Sequence, residues 1–308
     1  MPFKGERVVV TGASGFIGKH LTKRLALEDC KVYSFCHECP VTKQEKSTTI
    51  NVDIAKDTEK LKATLNEIEP EIIFHLAAKV DRSRDLGILG EIVKNNILGT
   101  TNLLSALDNT DFLHFINTGS SEEYGVGVVP LSEDQEPNPL SPYSAAKAST
   151  TLICQMLANN MGLPITTLRP FLTYGPGQGP KMFIPSLIIS AIKLQDFNMT
   201  DGMQSREFNY VEDIVEGYVS TALNKKTFGE VINLGSGKEY LVRDVAKMIN
   251  DFLDNPIELN FGAIARREGE PARHYCSNKK ARDLLGWEPK VDLETGLKQT
   301  ISWYKENC

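Results

Sequence analysis

Tyr143 and Lys147 are four residues apart and could act together as an acid–base pair. This spacing places both side chains on one face of a helix, one turn apart. A free phenol has a pKa of about 10, which is too high for efficient proton transfer near neutral pH. We expect the Lys147 ammonium to lower the pKa of Tyr143 by stabilising the phenolate. The alternative is an ordinary exposed pair of side chains on a helix surface.

A serine-rich turn precedes this pair in the chain. Residues Phe112–Thr118 predict a strand, and Gly119-Ser120-Ser121-Glu122 follows at its carboxyl end, where open parallel sheets bind ligands. We expect Ser120 to hydrogen-bond a hydroxyl or carbonyl group that is being oxidised or reduced, with Ser121 and Glu122 in the same pocket. The alternative is a turn without a catalytic role.

Three glycines, Gly12, Gly15 and Gly18, directly follow the first predicted strand and open the first helix. Gly12 permits a tight turn, Gly15 lets a pyrophosphate approach the backbone, and Gly18 lets the helix pack closely on the strand. The helix N-terminus then offers free N–H groups to the phosphates. This setting predicts a dinucleotide site, and the alternative is a glycine-rich turn without a ligand. With a nicotinamide dinucleotide bound, Lys147 could also hydrogen-bond its ribose.

The end of the second predicted strand bears on the choice of cofactor. An acidic residue there would bind the adenosine ribose and favour NAD, but the sequence has Cys36 followed by His37. No carboxylate would repel a 2′-phosphate at this point, and His37 or Lys43 could approach one. We therefore expect NADP(H) in preference to NAD(H). The alternative for His37 is an exposed loop histidine.

The segment Cys36-His37-Glu38-Cys39 has the spacing of half a zinc knuckle, but no second pair follows it, so we expect no metal site. The formal net charge of −6 gives no electrostatic reason to bind nucleic acid or anionic lipid. No apolar run is long enough to span a bilayer, and the N-terminus lacks the pattern of a signal peptide. The six cysteines are scattered along the chain, which favours a cytoplasmic location.

Short apolar runs alternate with helix-period segments through the first half of the chain. The predicted strands are Arg7–Thr11, Lys31–Cys36, Glu71–Leu76, Phe112–Thr118 and Ile165–Arg169. The predicted helices are Gly15–Leu27, Thr58–Ile68, Leu89–Leu107 and Pro142–Met161, and then Phe183–Leu194, Val211–Leu223, Leu241–Leu253, Asn278–Leu285 and Leu293–Tyr304. This rhythm predicts a Rossmann-type, doubly wound parallel α/β sheet with a smaller, interleaved C-terminal α/β substrate lobe. We expect the sheet domain to span 1–170 with a return segment at about 204–235, and the lobe to comprise 171–203 and 236–308.

Taken together and in this order, the motifs resemble the extended short-chain dehydrogenase/reductase family, and within it the NDP-sugar epimerases, dehydratases and 4-ketoreductases. The resemblance covers almost the full length. Besides the glycine loop, Ser120, Tyr143 and Lys147, the matching segments are Asp53-Ile54, His75–Lys79, Asn96–Thr100, Arg169-Pro170-Phe171, Tyr174–Gln178, Arg206-Glu207-Phe208, Tyr210–Asp213 and Leu285–Pro289.

The resemblance assigns expected roles to individual residues. Ser120, Tyr143 and Lys147 would form the catalytic triad, with Glu122 as a sugar ligand or an additional base. The cofactor would contact Gly12, Ser14, Gly15, Phe16, Ile17, Gly18, Cys36, His37, Asp53, Ile54, Leu76, Ala77, Ala78, Lys79, Asn96, Thr118, Tyr143, Lys147 and Phe171. The nucleotide-diphosphate sugar would contact Ser120, Ser121, Glu122, Tyr143, Leu172, Arg206 and Arg267, and the two arginines would clamp its diphosphate.

Two positions depart from the family pattern. The acid after the second strand is missing, and Leu172 replaces an asparagine that touches the substrate in relatives. The stretch Gly119–Gly125 is similar to GDP-4-keto-6-deoxymannose reductases, so the favoured function is an NADPH-dependent 4-ketoreductase of an NDP-4-keto-6-deoxysugar. The enzymatic alternatives are a 4-epimerase and a 4,6-dehydratase, and the non-enzymatic one is an NADP(H)-binding sensor. Relatives often dimerise through helices that correspond to Leu89–Leu107 and Pro142–Met161, so we expect a homodimer.

Overall fold

The computed structural model describes residues 3–37, 47–108 and 110–308. The strands in these ranges are β1 (Glu6–Thr11), β2 (Cys30–Cys36), β3 (Ser47–Asn51), β4 (Ile72–His75), β5 (His114–Thr118), β6 (Ile165–Pro170), β7 (Thr173–Tyr174), β8 (Phe197–Met199), β9 (Ser205–Arg206), β10 (Asn209–Tyr210), β11 (Val231–Leu234), β12 (Tyr240–Leu241), β13 (Leu259–Phe261) and β14 (Arg273–His274). The α-helices are α1 (Phe16–Leu25), α2 (Thr58–Ile68), α3 (Leu89–Ile92), α4 (Gly99–Ala106), α5 (Pro142–Met161), α6 (Phe183–Ile192), α7 (Val211–Ala222), α8 (Val242–Asp251), α9 (Lys279–Leu285) and α10 (Leu293–Asn307).

Seven strands form one parallel sheet in the order β11-β6-β5-β4-β1-β2-β3. The central strands β4 and β5 are buried along their whole length, which is typical of parallel strands covered by helices on both faces. The strand order reverses beside β1, so a crevice opens above the carboxyl ends of β1 and β4. The prediction of a Rossmann-type, doubly wound fold is confirmed.

The predicted helix Leu89–Leu107 is a continuous helical run that contains α3, a π-helical segment at Val93–Leu98 and α4. Helix α5 has a capped N-terminus, since the Ser141 hydroxyl accepts a hydrogen bond from the backbone N–H of Ser144 and Pro142 is the first helical residue. β3 was not predicted, because Ser, Thr and Asn at an edge of the sheet do not produce an apolar run.

A second core lies between α6, α8 and α10 and forms the smaller lobe. The C-terminal segment divides between the two cores, which differs from the expected assignment of residues 236–308 to the lobe alone. Ala281 and Trp287 belong to the core of the sheet, and the Trp287 indole donates a hydrogen bond to the Asp213 carbonyl on α7 at 2.8 Å. The apolar residues on one face of α9 pack against α7 and β11, where they join the core of the sheet.

In the ranges that the structure covers, no helix combines the length and apolarity needed to cross a bilayer. Those same ranges contain no cluster of three or more His, Cys, Asp or Glu residues arranged to hold a metal. The Cys36–Cys39 pattern and Lys43 extend into positions outside the described residues.

Candidate active site

The loop Gly12–Gly18 joins β1 to α1 and has the close contacts that its glycines predict. Gly12 has a φ of +67°, and a Cβ there would lie 2.7 Å from the backbone nitrogen of Ala77. A Cβ on Gly18 would lie 2.2 Å from the Gly12 carbonyl oxygen, so the helix can pack on the strand only with glycine here. A Cβ on Gly15 would approach only the Gly12 carbonyl, at 3.1 Å. Space above Gly15 is therefore open in front of the helix N-terminus.

The N-terminus of α1 is suited to a pyrophosphate. Gly15 is its N-cap, no side chain caps its N–H groups, and its first turn carries no acidic residue. Ser14 is exposed beside this N-terminus, Phe16 is half-buried, and Ile17 packs against the core of the sheet. The residues present thus fit a dinucleotide phosphate on an uncapped helix end.

The expected adenine side of the crevice is formed by β2 and the segment after β3. Cys36 is buried at the end of β2, and the ring of the exposed His37 lies 3.5 Å from the Asp53 carboxylate. Asp53 also pairs with Lys56 at 2.9 Å. Burial raises the pKa of Asp53, but the hydrogen bonds from Lys56 and Ala55 outweigh it, so the net pKa is lowered. His37, expected to approach a 2′-phosphate, therefore has a carboxylate beside it.

The stretch after β4 forms a wall along the crevice. Leu76, Ala77 and Ala78 are half-buried there, and Ile54 is buried below α4. The Asn96 side chain accepts a hydrogen bond from the Lys79 backbone N–H at 2.7 Å and donates one to the Lys79 carbonyl at 3.0 Å. Asn96 thus holds the backbone of this wall as a neighbouring strand would.

Ser120 begins a short turn, Ser121–Tyr124, at the carboxyl end of β5. Its hydroxyl accepts a hydrogen bond from the backbone N–H of Glu122 at 3.1 Å. The Ser121 carbonyl lies 3.2 Å from a ring nitrogen of His274 on β14, which connects the turn to the C-terminal lobe. Ser120 is therefore fixed at the sheet edge, next to the crevice.

Glu123 holds this turn in place, and the sequence analysis did not identify it. Its fully buried carboxylate accepts hydrogen bonds from the Ser120 backbone N–H at 2.7 Å, from the Thr151 hydroxyl at 3.1 Å, and from Arg169 at 2.9 Å. A second Arg169 nitrogen lies 2.8 Å from the same oxygen, Oε2, while Oε1 accepts the hydrogen bonds from Ser120 and Thr151. The spacing of Ser120 and Glu123 is that of a capping box, and this signal was available in the sequence.

Tyr143 and Lys147 are both buried on α5, and the structure brings them to the same edge as Ser120. Burial raises the pKa of Tyr143 to about 12; the Arg82 cation and the Ser120 hydroxyl oppose this rise, while Glu122 and Glu123 add to it. Lys147 donates a hydrogen bond to the Thr118 carbonyl at 2.7 Å, and burial lowers its own pKa to about 8. Lys147 was expected to lower the pKa of Tyr143. That role of Lys147 stays a prediction; in this structure the Arg82 cation opposes the rise in the pKa of the phenol.

Other predicted substrate residues lie around the opening between sheet and lobe. Arg206 is mostly buried and pairs with Glu270 at 2.6 Å, whereas Arg267 is exposed and reaches the Arg82 carbonyl at 3.5 Å. The Glu122 carboxylate pairs with Arg82 at 3.4 Å. In the structure Arg206 and Arg267 thus have different partners, and a shared role on a diphosphate stays a prediction.

Three further predicted residues, Leu172, Phe171 and Thr118, lie in packed surroundings near the carboxyl edge of the sheet. Leu172 is half-buried against the core of the lobe, and its carbonyl accepts a hydrogen bond from the Asn209 backbone N–H at 2.9 Å. Phe171 is buried between the rings of Tyr124 and His274. The Thr118 hydroxyl accepts a hydrogen bond from the Tyr218 hydroxyl at 2.9 Å. Phe171 and Thr118 thus lie in packed surroundings behind the crevice.

The chain matches a family model and resembles characterised proteins over nearly its full length. The model of the NAD dependent epimerase/dehydratase family matches residues 8–235. A trifunctional UDP-glucose 4,6-dehydratase/UDP-4-keto-6-deoxy-D-glucose 3,5-epimerase/UDP-4-keto-L-rhamnose-reductase from Arabidopsis thaliana is 31% identical over 98% of this chain, which spans only 47% of that protein. A UDP-glucose 4-epimerase from Mycolicibacterium smegmatis is 30% identical over 97% of this chain and 98% of its own. The crystal structure of the Bacillus cereus UDP-glucuronic acid 4-epimerase, in complex with UDP-glucuronic acid and NAD, superposes with a TM-score of 0.90 at 30% identity, covering 98% of this chain and 100% of that one.

Proposed function

Since the chain belongs to the NAD dependent epimerase/dehydratase family and is an NAD(P)-dependent enzyme of nucleotide-sugar chemistry, we propose that it is a 4-epimerase of a nucleotide-diphosphate sugar. The names of the relatives carry the choice of a 4-epimerase, and one observation of the site restricts the chemistry to a single sugar carbon. Among the described residues at the sheet edge, Tyr143 with Ser120 is the acid–base centre that remains available, because Glu123 is engaged by Arg169 and Glu122 by Arg82. Such a site moves a proton at one oxygen atom.

A nicotinamide dinucleotide held by the glycine loop and the wall after β4 would supply the hydride chemistry at the sugar C4, and epimerisation requires that the hydride come back to the opposite face of the C4 ketone. Tyr143 takes the proton from the C4 hydroxyl as the ketone forms and returns it when the alcohol forms again. Ser120 donates a hydrogen bond to the same oxygen and keeps it next to the phenol. Lys147 holds the Thr118 carbonyl at 2.7 Å, which fixes the end of β5 against α5. When cofactor is present, Lys147 would also reach its ribose.

Two alternatives from the sequence receive weaker support. A 4,6-dehydratase needs a further acid and base at C5 and C6, and the carboxylates nearest to Ser120 are both in ion pairs. The NADPH-dependent 4-ketoreductase that the sequence favoured uses the same phenol, so the site alone does not argue against it. The names of the relatives that match almost end to end, 4-epimerases of UDP-sugars, favour epimerisation.

We propose NAD as the resident cofactor. The sequence favoured NADP(H) because no carboxylate ends β2 and because His37 follows it. The Asp53 carboxylate, 3.5 Å from His37, competes with a 2′-phosphate for that side chain. The Bacillus cereus relative contains NAD. The glycine loop, the wall after β4 and Asn96 are proposed to hold the dinucleotide.

The substrate is proposed to lie between the sheet edge and the lobe. Arg206 is the stronger candidate to bind the diphosphate, because its guanidinium is mostly buried and held by Glu270, whereas Arg267 is exposed. Glu270 now pairs with Arg206, so a bound diphosphate would have to displace that carboxylate or share the arginine with it. Arg267 would then contribute only from the rim.

A homodimer is also proposed. The helical run from 89 to 106 and α5 pack side by side, and both carry exposed apolar residues. These are Leu89, Val93, Leu98, Leu152 and Met156. An apolar surface that spans two helices is typical of a subunit interface.

The test is incubation of the purified protein with UDP-glucose or UDP-glucuronic acid, with and without added NAD. The expected result is a mixture of C4 epimers without net accumulation of reduced cofactor. Tyr143→Phe should lose most turnover and still bind NAD, while Tyr33→Phe, a matched change on β2, should keep it. Consumption of NADPH with an NDP-4-keto-6-deoxysugar, and no epimerisation, would make the protein a ketoreductase. Cofactor binding without turnover of any of these sugars would make it a sensor.

A further inference from the structure

His75 is the last residue of β4, at the point where the wall after that strand begins, and the proposed reaction gives it no role. Its side chain is buried, with 1% of the residue exposed. Nδ1 of the ring lies 2.7 Å from the Thr11 hydroxyl on β1, and Nε2 lies 2.8 Å from the Thr100 hydroxyl on α4. Both ring nitrogens are therefore hydrogen-bonded to hydroxyl groups in the interior.

The partners of these two hydroxyl groups determine which ring nitrogen carries a hydrogen. A threonine hydroxyl has a single hydrogen to donate. The Thr100 hydroxyl lies 2.6 Å from the Asn96 carbonyl oxygen, which can only accept, so its hydrogen points there. It is left to accept from His75, which places a hydrogen on Nε2. At the other nitrogen, the Thr11 hydroxyl accepts from the Ala77 N–H at 3.2 Å and donates to Nδ1.

This chain of hydrogen bonds leads on both sides to the wall after β4. Through Thr11 it holds the backbone of Ala77, whose nitrogen would be only 2.7 Å from a Cβ on Gly12. Through Thr100 it reaches the carbonyl of Asn96, the residue whose side chain holds the far end of the wall. The wall is thus fixed against the glycine loop at one end and against the helical run from 89 to 106 at the other.

We propose that His75, as the neutral tautomer with its hydrogen on Nε2, is a positioning residue that sets the distance between the glycine loop and the wall for a bound dinucleotide. The inference rests on the proposed placement of the dinucleotide between them. The opposite tautomer would set the lone pair of Nε2 against the Thr100 oxygen and take the acceptor away from the Thr11 hydroxyl. Burial, together with the Lys147 cation, lowers the pKa of His75 to about 3, which keeps the ring neutral.

The chain of hydrogen bonds can be broken with little change in side-chain volume. Thr11→Val removes the hydroxyl that joins the wall to the ring, whereas Thr11→Ser keeps it. His75→Phe removes both hydrogen bonds of the ring. The matched control is His114→Phe, because His114 is also a buried histidine with both ring nitrogens hydrogen-bonded, to the Ala222 carbonyl and the Thr166 hydroxyl. It begins β5, at the amino edge of the sheet and away from the crevice.

The first experiment is calorimetric titration of these variants with NAD, and with NADP if NAD does not bind. Thr11→Val and His75→Phe should raise Kd about tenfold, and Thr11→Ser should keep the wild-type value. Urea unfolding should show a similar loss of stability in His75→Phe and His114→Phe, but His114→Phe should leave Kd unchanged. An equal Kd in all variants, or an equal rise in His114→Phe, would overturn the proposal.

The second experiment determines the tautomer by nitrogen-15 NMR of the histidine rings and needs no ligand. The resonances of His75 are assigned by their absence in His75→Phe. The expected pattern is a protonated Nε2 and an unprotonated Nδ1. His114 is the internal reference for the opposite tautomer, because its Nδ1 donates to the Ala222 carbonyl at 2.9 Å. A hydrogen on Nδ1 of His75, or on both of its nitrogens at neutral pH, would refute the proposed role.

Turnover of sugar nucleotides separates the inference from the proposed function. Weaker dinucleotide binding in Thr11→Val and His75→Phe supports the inference even if the wild type epimerises no sugar nucleotide, in which case the proposed function alone fails. Epimerase activity with an unchanged Kd in both variants would remove the inference and keep the function. A wild type that binds neither dinucleotide would overturn both.

Discussion

Removal of Arg169 is expected to destabilise the protein strongly, because it leaves the Glu123 carboxylate buried without its counter-ion. Both side chains are almost completely inaccessible, at 4% exposure for Arg169 and 0% for Glu123. In Arg169→Met, Glu123 would keep only the Ser120 N–H and the Thr151 hydroxyl as donors. Breaking a buried pair by removing one partner costs about 3–5 kcal/mol. Against a typical stability of about 5–15 kcal/mol, this is a large fraction of the total.

A double-mutant cycle separates the ion pair from simple loss of packing. Glu123→Gln should also be destabilising, since Arg169 would keep the Tyr124 hydroxyl at 2.8 Å but lose its anion. The double variant Arg169→Met/Glu123→Gln should cost less than the sum of the single changes, by about 2 kcal/mol or more. Urea unfolding followed by the fluorescence of the buried Trp287, which lies in the core of the sheet, measures all three. Additive effects, or a cost below about 1 kcal/mol for Arg169→Met, would refute the reasoning.

Further predictions concern the glycine loop, a buried acid and the proposed interface. Gly15→Ala should fold, and calorimetry should show that it binds the dinucleotide about tenfold more weakly. Gly18→Ala should lower the free energy of unfolding in urea by about 2–3 kcal/mol, because its Cβ meets the Gly12 carbonyl. Equal effects of the two changes on binding and on stability would contradict this. Burial raises the pKa of Glu207 to about 7, despite donors from Gly237 and Cys276, so the folded state keeps its proton longer than the unfolded state. The contribution of this proton to the free energy of unfolding should be fully present below the pKa of the unfolded state. It should fall by about 3 kcal/mol as the pH rises to about 7. Glu207→Gln should therefore gain stability relative to the wild type between about pH 5 and about pH 8, and a constant difference would contradict the assignment. Leu152→Glu or Met156→Glu should convert the proposed dimer to a monomer, as measured by analytical ultracentrifugation. An unchanged sedimentation coefficient would place the interface elsewhere.

The parts of the fold that the sequence predicted are those governed by local pattern. Apolar runs and helix periodicity identified the strands and helices around the crevice, and the glycine loop and the Tyr143 helix followed from short-range geometry. Strand β3 was not predicted, because its polar residues at the edge of the sheet do not form an apolar run. The assignment of α9 to the lobe failed because a helix does not encode which apolar surface will receive it.

The site was predictable only in part for a related reason. Ser120, Tyr143 and Lys147 are local features of the turn and the helix, but the charges that act on them come from distant segments. Glu122 and Glu123 are adjacent and chemically identical in the sequence, yet one pairs with Arg82 at the surface and the other with Arg169 in the interior. Which cation faces which carboxylate is decided by the packing of the sheet against its helices, and no spacing along the chain records it.

Because α9 and Trp287 pack on the large sheet, the C-terminal segment cannot be exchanged as one independent module. Specificity could be exchanged between relatives by transplanting the segment after 236. Such a transplant would also replace part of the core of the large sheet, because Ala281 and Trp287 belong to that core. A viable graft should instead leave 278–290 native and exchange the flanking stretches around it. The recipient would then keep the hydrogen bond from the Trp287 indole to the Asp213 carbonyl and receive only the surfaces that are proposed to contact the sugar nucleotide.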